Sequence, residues 1–205
     1  MKIKLSFQIL CFVLFFTVFM QCDNPTQSNS YVSELQTIPL YGGWNWISFN
    51  VENQDMSTAN VFDTIKDNLL VIVDDKNNTE AFYSDSSGWM GGNFQIDIRT
   101  YYNVQILNSD TLRLWGIPVN ISTFSVELDS GFNYIGFPLQ DELNVDIALS
   151  LLPNLSNEDI LKQQTLFTQF TSEFGWLGSL ENMRPGHGYL LRVSSPQTLT
   201  YPILD

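Results

Sequence analysis

Few side chains in this sequence are equipped for chemistry, and the candidates are thinly spread. The 205 residues contain one histidine, His187, and two cysteines, Cys11 and Cys22. Everything after Cys22 therefore offers one imidazole and no thiolate, too little for a His/Cys zinc site, a multi-histidine centre or a cysteine nucleophile. A serine triad would have to use His187, which sits between Gly186 and Gly188 in a turn pattern where an exposed loop histidine is expected. Carboxylates are plentiful, and Asp74-Asp75 and Asp141-Glu142 are the densest pairs. A small hydrolase using carboxylates would need two of them facing each other across a cleft, which adjacency in sequence does not provide. Asp74, Asp75, Asn77 and Asn78 could gather oxygens around calcium, but their spacing is not that of an EF-hand, and a solvated acidic turn is the simpler expectation. No phosphate-binding glycine loop and no Gly-x-Ser-x-Gly elbow occurs. The sequence thus indicates no catalytic residue, no metal and no cofactor.

Aromatic rings are the positive signal. Five Trp, eight Tyr and fifteen Phe, interspersed with Asn, Asp and Gln, are the equipment for stacking on sugar rings and hydrogen-bonding their hydroxyls. The same rings also build cores. Trp44, Trp89 and Trp176 stand next to turn glycines or at repeated positions, so they are assigned to the core. Trp46, Trp115, Tyr101 and Phe174 remain as candidate ligand contacts.

The positions of these rings follow from an internal repeat. Gly43-Trp-Asn-Trp-Ile-Ser-Phe49 returns 88 residues later as Gly131-Phe-Asn-Tyr-Ile-Gly-Phe137, and Gly88-Trp-Met-Gly91 returns as Gly175-Trp-Leu-Gly178. Tyr102 falls on Tyr189, and Thr111-Leu112 on Thr198-Leu199, so the register survives with a one-residue slip. The repeat positions Gly43, Trp44, Asn45, Gly131, Phe132, Asn133, Gly88, Trp89, Gly91, Gly175, Trp176, Gly178 and Tyr189 are accordingly read as structural, together with Pro185 and Gly186. Each unit opens with a hairpin signal, 37–40 to 44–50 and 124–128 to 132–137, with Gly43 and Gly131 in the turns. Both faces of the strand after the turn are largely apolar, as in a strand covered on two sides. A helix follows, capped by Ser57 and carrying Val61, Phe62, Ile65 and Leu69 in the first unit, capped by Asn144 and ended by Pro153 in the second. Short strands complete each unit, and Arg184-Pro-Gly-His187 has the residues of a type II turn that the first unit lacks. The expected fold is α+β, mostly antiparallel β: two homologous units, 37–118 and 119–205, each with one helix, packed with approximate twofold symmetry.

The Gly-Trp-Asn-x-Ile-Ser opening, Gly175-Trp-Leu-Gly-Ser-Leu180, Met183-x-Pro-Gly-x-Gly-Tyr189 and Leu199-x-Tyr-Pro202 resemble tandem aromatic-glycine repeats of secreted bacterial surface proteins. The resemblance covers nearly all of 38–203 and implies an extracellular module; it supplies neither a ligand nor a catalytic residue.

The N-terminus indicates export. Met1-Lys-Ile-Lys4 precedes an apolar run from Leu5 to Met20, which is short for a bilayer span. Cys22 at its end, ahead of a polar tether over 23–36, resembles the lipidation site of a bacterial lipoprotein, although Gln21 and Phe19 depart from the usual residues there. Loss of a signal over 1–22 leaves 7 basic residues (9 less Lys2 and Lys4) against 22 acidic, a formal charge of −15. Such a surface repels nucleic acid. The sequence therefore predicts an exported, non-enzymatic interaction or structural module of the cell envelope, lipid-anchored through Cys22 or, where the signal is an ordinary cleaved one, secreted. Its partner would be a polysaccharide or an envelope protein; a carbohydrate-binding accessory is the alternative.

Overall fold

The structure, a computed structural model, describes residues 32–204; Cys22, the signal and the tether up to Tyr31 lie outside the described residues. The first strand, β1 (Glu34–Leu40), buries Gln36, Ile38 and Leu40 while exposing the residues between them. It begins inside the stretch assigned to the tether, because the alternation already starts at Glu34. Pro39 is tolerated since β1 is an edge strand, paired only with β8 (Asp110–Pro118).

β2 (Gly43–Ile47) does not turn back on β1. It joins a different sheet, pairing with β7 (Tyr102–Ile106), and the hairpin expected from the sequence is instead an arch between sheets. The Asn45 side chain explains how the corner holds without cross-strand bonds. Its Oδ1 accepts from the Tyr41 N–H at 2.9 Å, and its Nδ2 donates to the Tyr41 and Gly43 carbonyls at 2.8 and 3.1 Å. Asn133 repeats the arrangement on Asp129 and Gly131 at 2.9, 2.8 and 3.0 Å. Gly43 and Gly131 take φ of 98° and 104°, the region a side chain would strain. In the second unit β9 (Val126–Leu128) pairs with β17 (Gln197–Leu199), and β10 (Gly131–Ile135) with β16 (Tyr189–Val193), so the arch recurs.

The rest of each unit completes one five-stranded antiparallel sheet. In the first, β4 (Leu69–Asp74), β5 (Thr79–Ser84) and β6 (Gly88–Gly91) give the order β2-β7-β4-β5-β6. In the second, β12 (Ile160–Lys162), β13 (Phe167–Thr171) and β14 (Gly175–Gly178) give β10-β16-β12-β13-β14, the same order. Short pieces finish the described chain. β3 (Val51–Glu52) extends the β1-β8 sheet, and β11 (Leu143–Asn144) pairs with β15 (Asn182–Met183).

The helices are shorter than the periodicity predicts. α1 is Thr58–Val61 and α2 is Val145–Ala148. Both predicted caps are present, Ser57 accepting from the Asn60 N–H and Asn144 from the Asp146 N–H. After α1 the chain tightens into a 3-10 turn over Asp63–Asn68, and Leu69 opens β4. α2 is capped at Leu149, well before Pro153. Among the described residues no helix is long and apolar enough to cross a membrane.

One hydrophobic cluster runs from Ile38 to Tyr201 and draws on both units. The units also exchange backbone bonds. The Ser48 N–H donates to the Gly186 carbonyl at 3.2 Å, and the Gly136 N–H, at the position equivalent to Ser48, donates to the Arg99 carbonyl at 3.0 Å. Ser48, fully buried, adds a side-chain link: its Oγ donates to the His187 carbonyl at 2.6 Å and accepts from the Phe137 N–H at 3.1 Å.

Candidate functional site: a cleft where the two units meet

β2 is the edge of its sheet, so the outward N–H and C=O groups of Trp44 and Trp46 need partners. The second unit supplies them. The Gln164 amide spans the edge like a short strand, its Oε1 accepting from the Trp46 N–H at 3.1 Å and its Nε2 donating to the Trp44 carbonyl at 2.6 Å. The Gly188 N–H then donates to the Trp46 carbonyl at 3.0 Å. The turn that presents Gly188 is the predicted Pro-Gly turn: the His187 N–H reaches the Arg184 carbonyl at 3.3 Å and Gly186 has φ 81°. The first-unit corner closes with the equivalent bond, Thr100 N–H to the Asp97 carbonyl at 3.3 Å, but without a left-handed residue. In both units a buried tyrosine stabilises the corner by accepting a backbone N–H, Tyr102 from Asp97 at 2.7 Å and Tyr189 from Arg184 at 2.6 Å.

This docking leaves a cleft of about 410 Å³ beside β2. Its lining includes the exposed Tyr41 and Trp44, the half-buried Trp46, and Gln163, Gln164, Thr165 and His187 from the second unit. Carboxylates are missing from its lining. A smaller cavity of about 180 Å³ adjoins it across Gln163 and His187, and brings Glu181 and Arg184. The Gln163 amide lies 3.4 Å from Nδ1 of His187. Loss of water around the His187 ring, with the Arg184 guanidinium nearby, lowers its pKa below the usual histidine value. The cleft can stack a flat ring on Trp44 and Tyr41 and hydrogen-bond its substituents through amides and a neutral imidazole. It holds no nucleophile with an adjacent base.

The predicted contact residues divide between places. Trp46 lines the cleft, half-buried. Trp115 is 59% exposed but lines a different cavity on the β1-β8 sheet. Phe174 is exposed in the β13-β14 turn and lines neither cavity. Tyr101 is not a surface contact: it is 3% exposed, its ring stacked on Trp46 at 4.8 Å and packed against Tyr134 at 5.4 Å. Trp46 and Tyr134 occupy equivalent repeat positions, so Tyr101 is a wedge between the units.

The core assignments need a similar correction. Trp176 is buried and Trp89 packs partly buried on the core, but Trp44 is 46% exposed and its counterpart Phe132 is 50% exposed. These two point away from the core because one face of β2 and β10 is open: Ile47 and Ile135 are buried on the opposite face, so the strands are not covered on both sides. Gly91 and Gly178 are required by close approach, since an added Cβ would meet the carbonyl oxygens of Glu80 and Phe167 at 2.4 Å. The acidic candidates have structural roles. Asp74 is buried, not solvated, and accepts from the Asn77 backbone and side-chain amides at 3.1 and 2.7 Å. Glu142 pairs with Arg184 at 2.9 Å on the surface. Among the described residues no group of three or more His, Cys, Asp or Glu is placed to hold a metal.

Sequence reasoning missed Tyr41, Gln163 and Gln164. The available signal was the Gln163-Gln164 pair in a turn whose first-unit counterpart carries Asp74-Asp75, a difference visible only once strand pairing aligns the turns. Comparison with protein-family models, curated proteins and solved structures gives no match.

Proposed function

We propose that this chain is a non-enzymatic interaction module of the bacterial cell envelope, exported and anchored by a lipid on Cys22, and that the cleft beside β2 takes a polysaccharide. In this reading two homologous units pack about an approximate twofold axis. The equal sheet orders and the paired bonds Ser48 to Gly186 and Gly136 to Arg99 support it. The observation that carries the ligand is that two exposed aromatic side chains, Trp44 and Tyr41, line the same cleft as the Gln163 and Gln164 amides. Flat rings together with neutral amides suit sugars, whose hydrogen-rich faces stack while their hydroxyls bond. A carboxylate-free lining favours binding over glycoside hydrolysis.

The test is titration of the folded protein with envelope and extracellular polysaccharides, followed by tryptophan fluorescence. Saturable binding that disappears in Trp44→Ala, with folding intact, is the expected outcome. A folded protein that binds none of the panel overturns the polysaccharide ligand and makes an envelope protein the partner to seek.

A further inference from the structure

The outer face of the β1-β8 pair carries a second exposed apolar patch, lined by none of the cleft residues. Along β8 the inward residues Leu112, Leu114 and Gly116 are buried, while Arg113, Trp115 and Ile117 face out. Leu35 lies opposite Trp115 in the strand register. Val32, Leu35, Trp115 and Ile117 are all exposed, Trp115 at 59%. A shallow cavity of about 350 Å³, lined by Ser33, Glu52, Asn53, Gln54, Trp115, Gly116 and Ile117, opens at the same place. Asn53 Nδ2 donates to the Trp115 carbonyl at 2.7 Å, fixing the backbone and leaving the indole outside. Exposed apolar clusters of this kind mark interaction surfaces.

Two observations select the occupant. The described chain begins at Val32, next to Ser33, which lines that cavity, and nine residues, Asp23 to Tyr31, separate Val32 from Cys22. Fully extended, nine residues reach at most about 32 Å. Those residues are polar except for Pro25 and Tyr31, so they are poor cover for Trp115, Leu35 and Ile117. Tryptophan with flanking aliphatic residues and a basic neighbour, here Arg113, suits the boundary between lipid headgroups and acyl chains. The acidic Glu34 and Glu52 at the margin argue for a zwitterionic surface in preference to an anionic one.

We infer that Leu35, Trp115 and Ile117 form a membrane-contact face that seats the module on a zwitterionic phospholipid surface. The distance argument rests on the lipid-anchored reading; the chemistry of the face does not. The experiment uses the full chain mixed with excess phosphatidylcholine vesicles, with and without brominated acyl chains, and reads quenching of tryptophan emission. Wild-type protein is expected to be quenched, Trp115→Phe to lose that quenching because the inserted reporter is gone, and Ile117→Asp to lose it because the face no longer inserts. Equal quenching in wild type and Trp115→Phe, or none in wild type, overturns the inference. Flotation of wild type against Cys22→Ala reports lipidation separately. Trp115-dependent quenching that persists in Cys22→Ala supports the face even if the anchor fails, and its absence from a protein that floats rejects the face while keeping the anchor.

Discussion

At the level of single residues the informative pair is Tyr101 and Gly188, which occupy equivalent positions in the two repeats and contact each other. A Cβ on Gly188 would lie 2.4 Å from Cβ of Tyr101. Only one of the two positions therefore has room for a side chain, and the first unit holds it. Tyr101→Ala is expected to cost about 3–5 kcal/mol, in the range for removing a buried aromatic ring. Gly188→Ala should cost about 1–3 kcal/mol by overpacking. In a Tyr101→Gly background the second penalty should vanish, a coupling that urea titration of the double-mutant cycle would reveal. Additive losses would mean that Gly188 is constrained by something else. The sequence marks Tyr101 as an asymmetry between the repeats, but an asymmetric aromatic has two outlets, ligand or interface, and only the fold distinguishes them. His187 adds a pH signature. Its pKa is lowered in the folded state, so above about pH 6.5 both states are neutral and it contributes nothing. As pH falls through 6.5 the unfolded chain takes up the proton first, and stability declines until the folded histidine also titrates. His187→Gln should flatten that part of a stability-against-pH curve; an unchanged slope would place its origin in other groups.

Among the elements, what sequence conveyed well was local and what it missed was pairing. Ser57 and Asn144 were legible as caps because capping involves residues two or three apart. The arches were not, because Gly43 and Gly131 serve a hairpin and an arch equally well, and the choice depends on partners β7 and β8, which lie far along the chain, as Gly43 opposite Ile106 and Leu40 opposite Asp110 show. Nor could alternation reveal that one face of β2 is open, since a ring that faces solvent and one that faces a second layer look alike in a strand pattern. The amide clamps make the arches testable. Asn45→Ala removes three short-range hydrogen bonds and leaves a backbone corner half-satisfied, so a loss of about 1–3 kcal/mol is expected. Gln164→Ala uncovers the β2 edge and should cost about 1 kcal/mol, with a greater tendency to self-associate at high concentration. Light scattering and denaturant titration separate the two effects; a Gln164→Ala protein as stable and as monomeric as wild type would show that the edge needs no cover.

For the whole molecule, repetition and independence come apart. The repeat invites a picture of two modules on a string, yet the buried cluster spans both units, and the sheet edge of the first is completed by the turn of the second. Ser48 sits fully buried between them with both of its side-chain bonds crossing the boundary. Splitting the chain at 118/119 would expose that apolar surface and leave buried polar groups without partners, penalties that neither half has surplus stability to absorb. Thermal or urea unfolding of the intact protein should accordingly be one transition, with fluorescence and far-ultraviolet circular dichroism tracing coincident curves. Fragments 32–118 and 119–205, the first keeping all of β1, should each be unfolded alone and regain structure only when mixed. Two resolved transitions, or a fragment that folds unaided, would mean that the boundary is a dispensable contact. In that case the cleft beside β2, which is lined from both units, would open and close with that contact, and the saccharide binding proposed for it would have to stabilise the docked form.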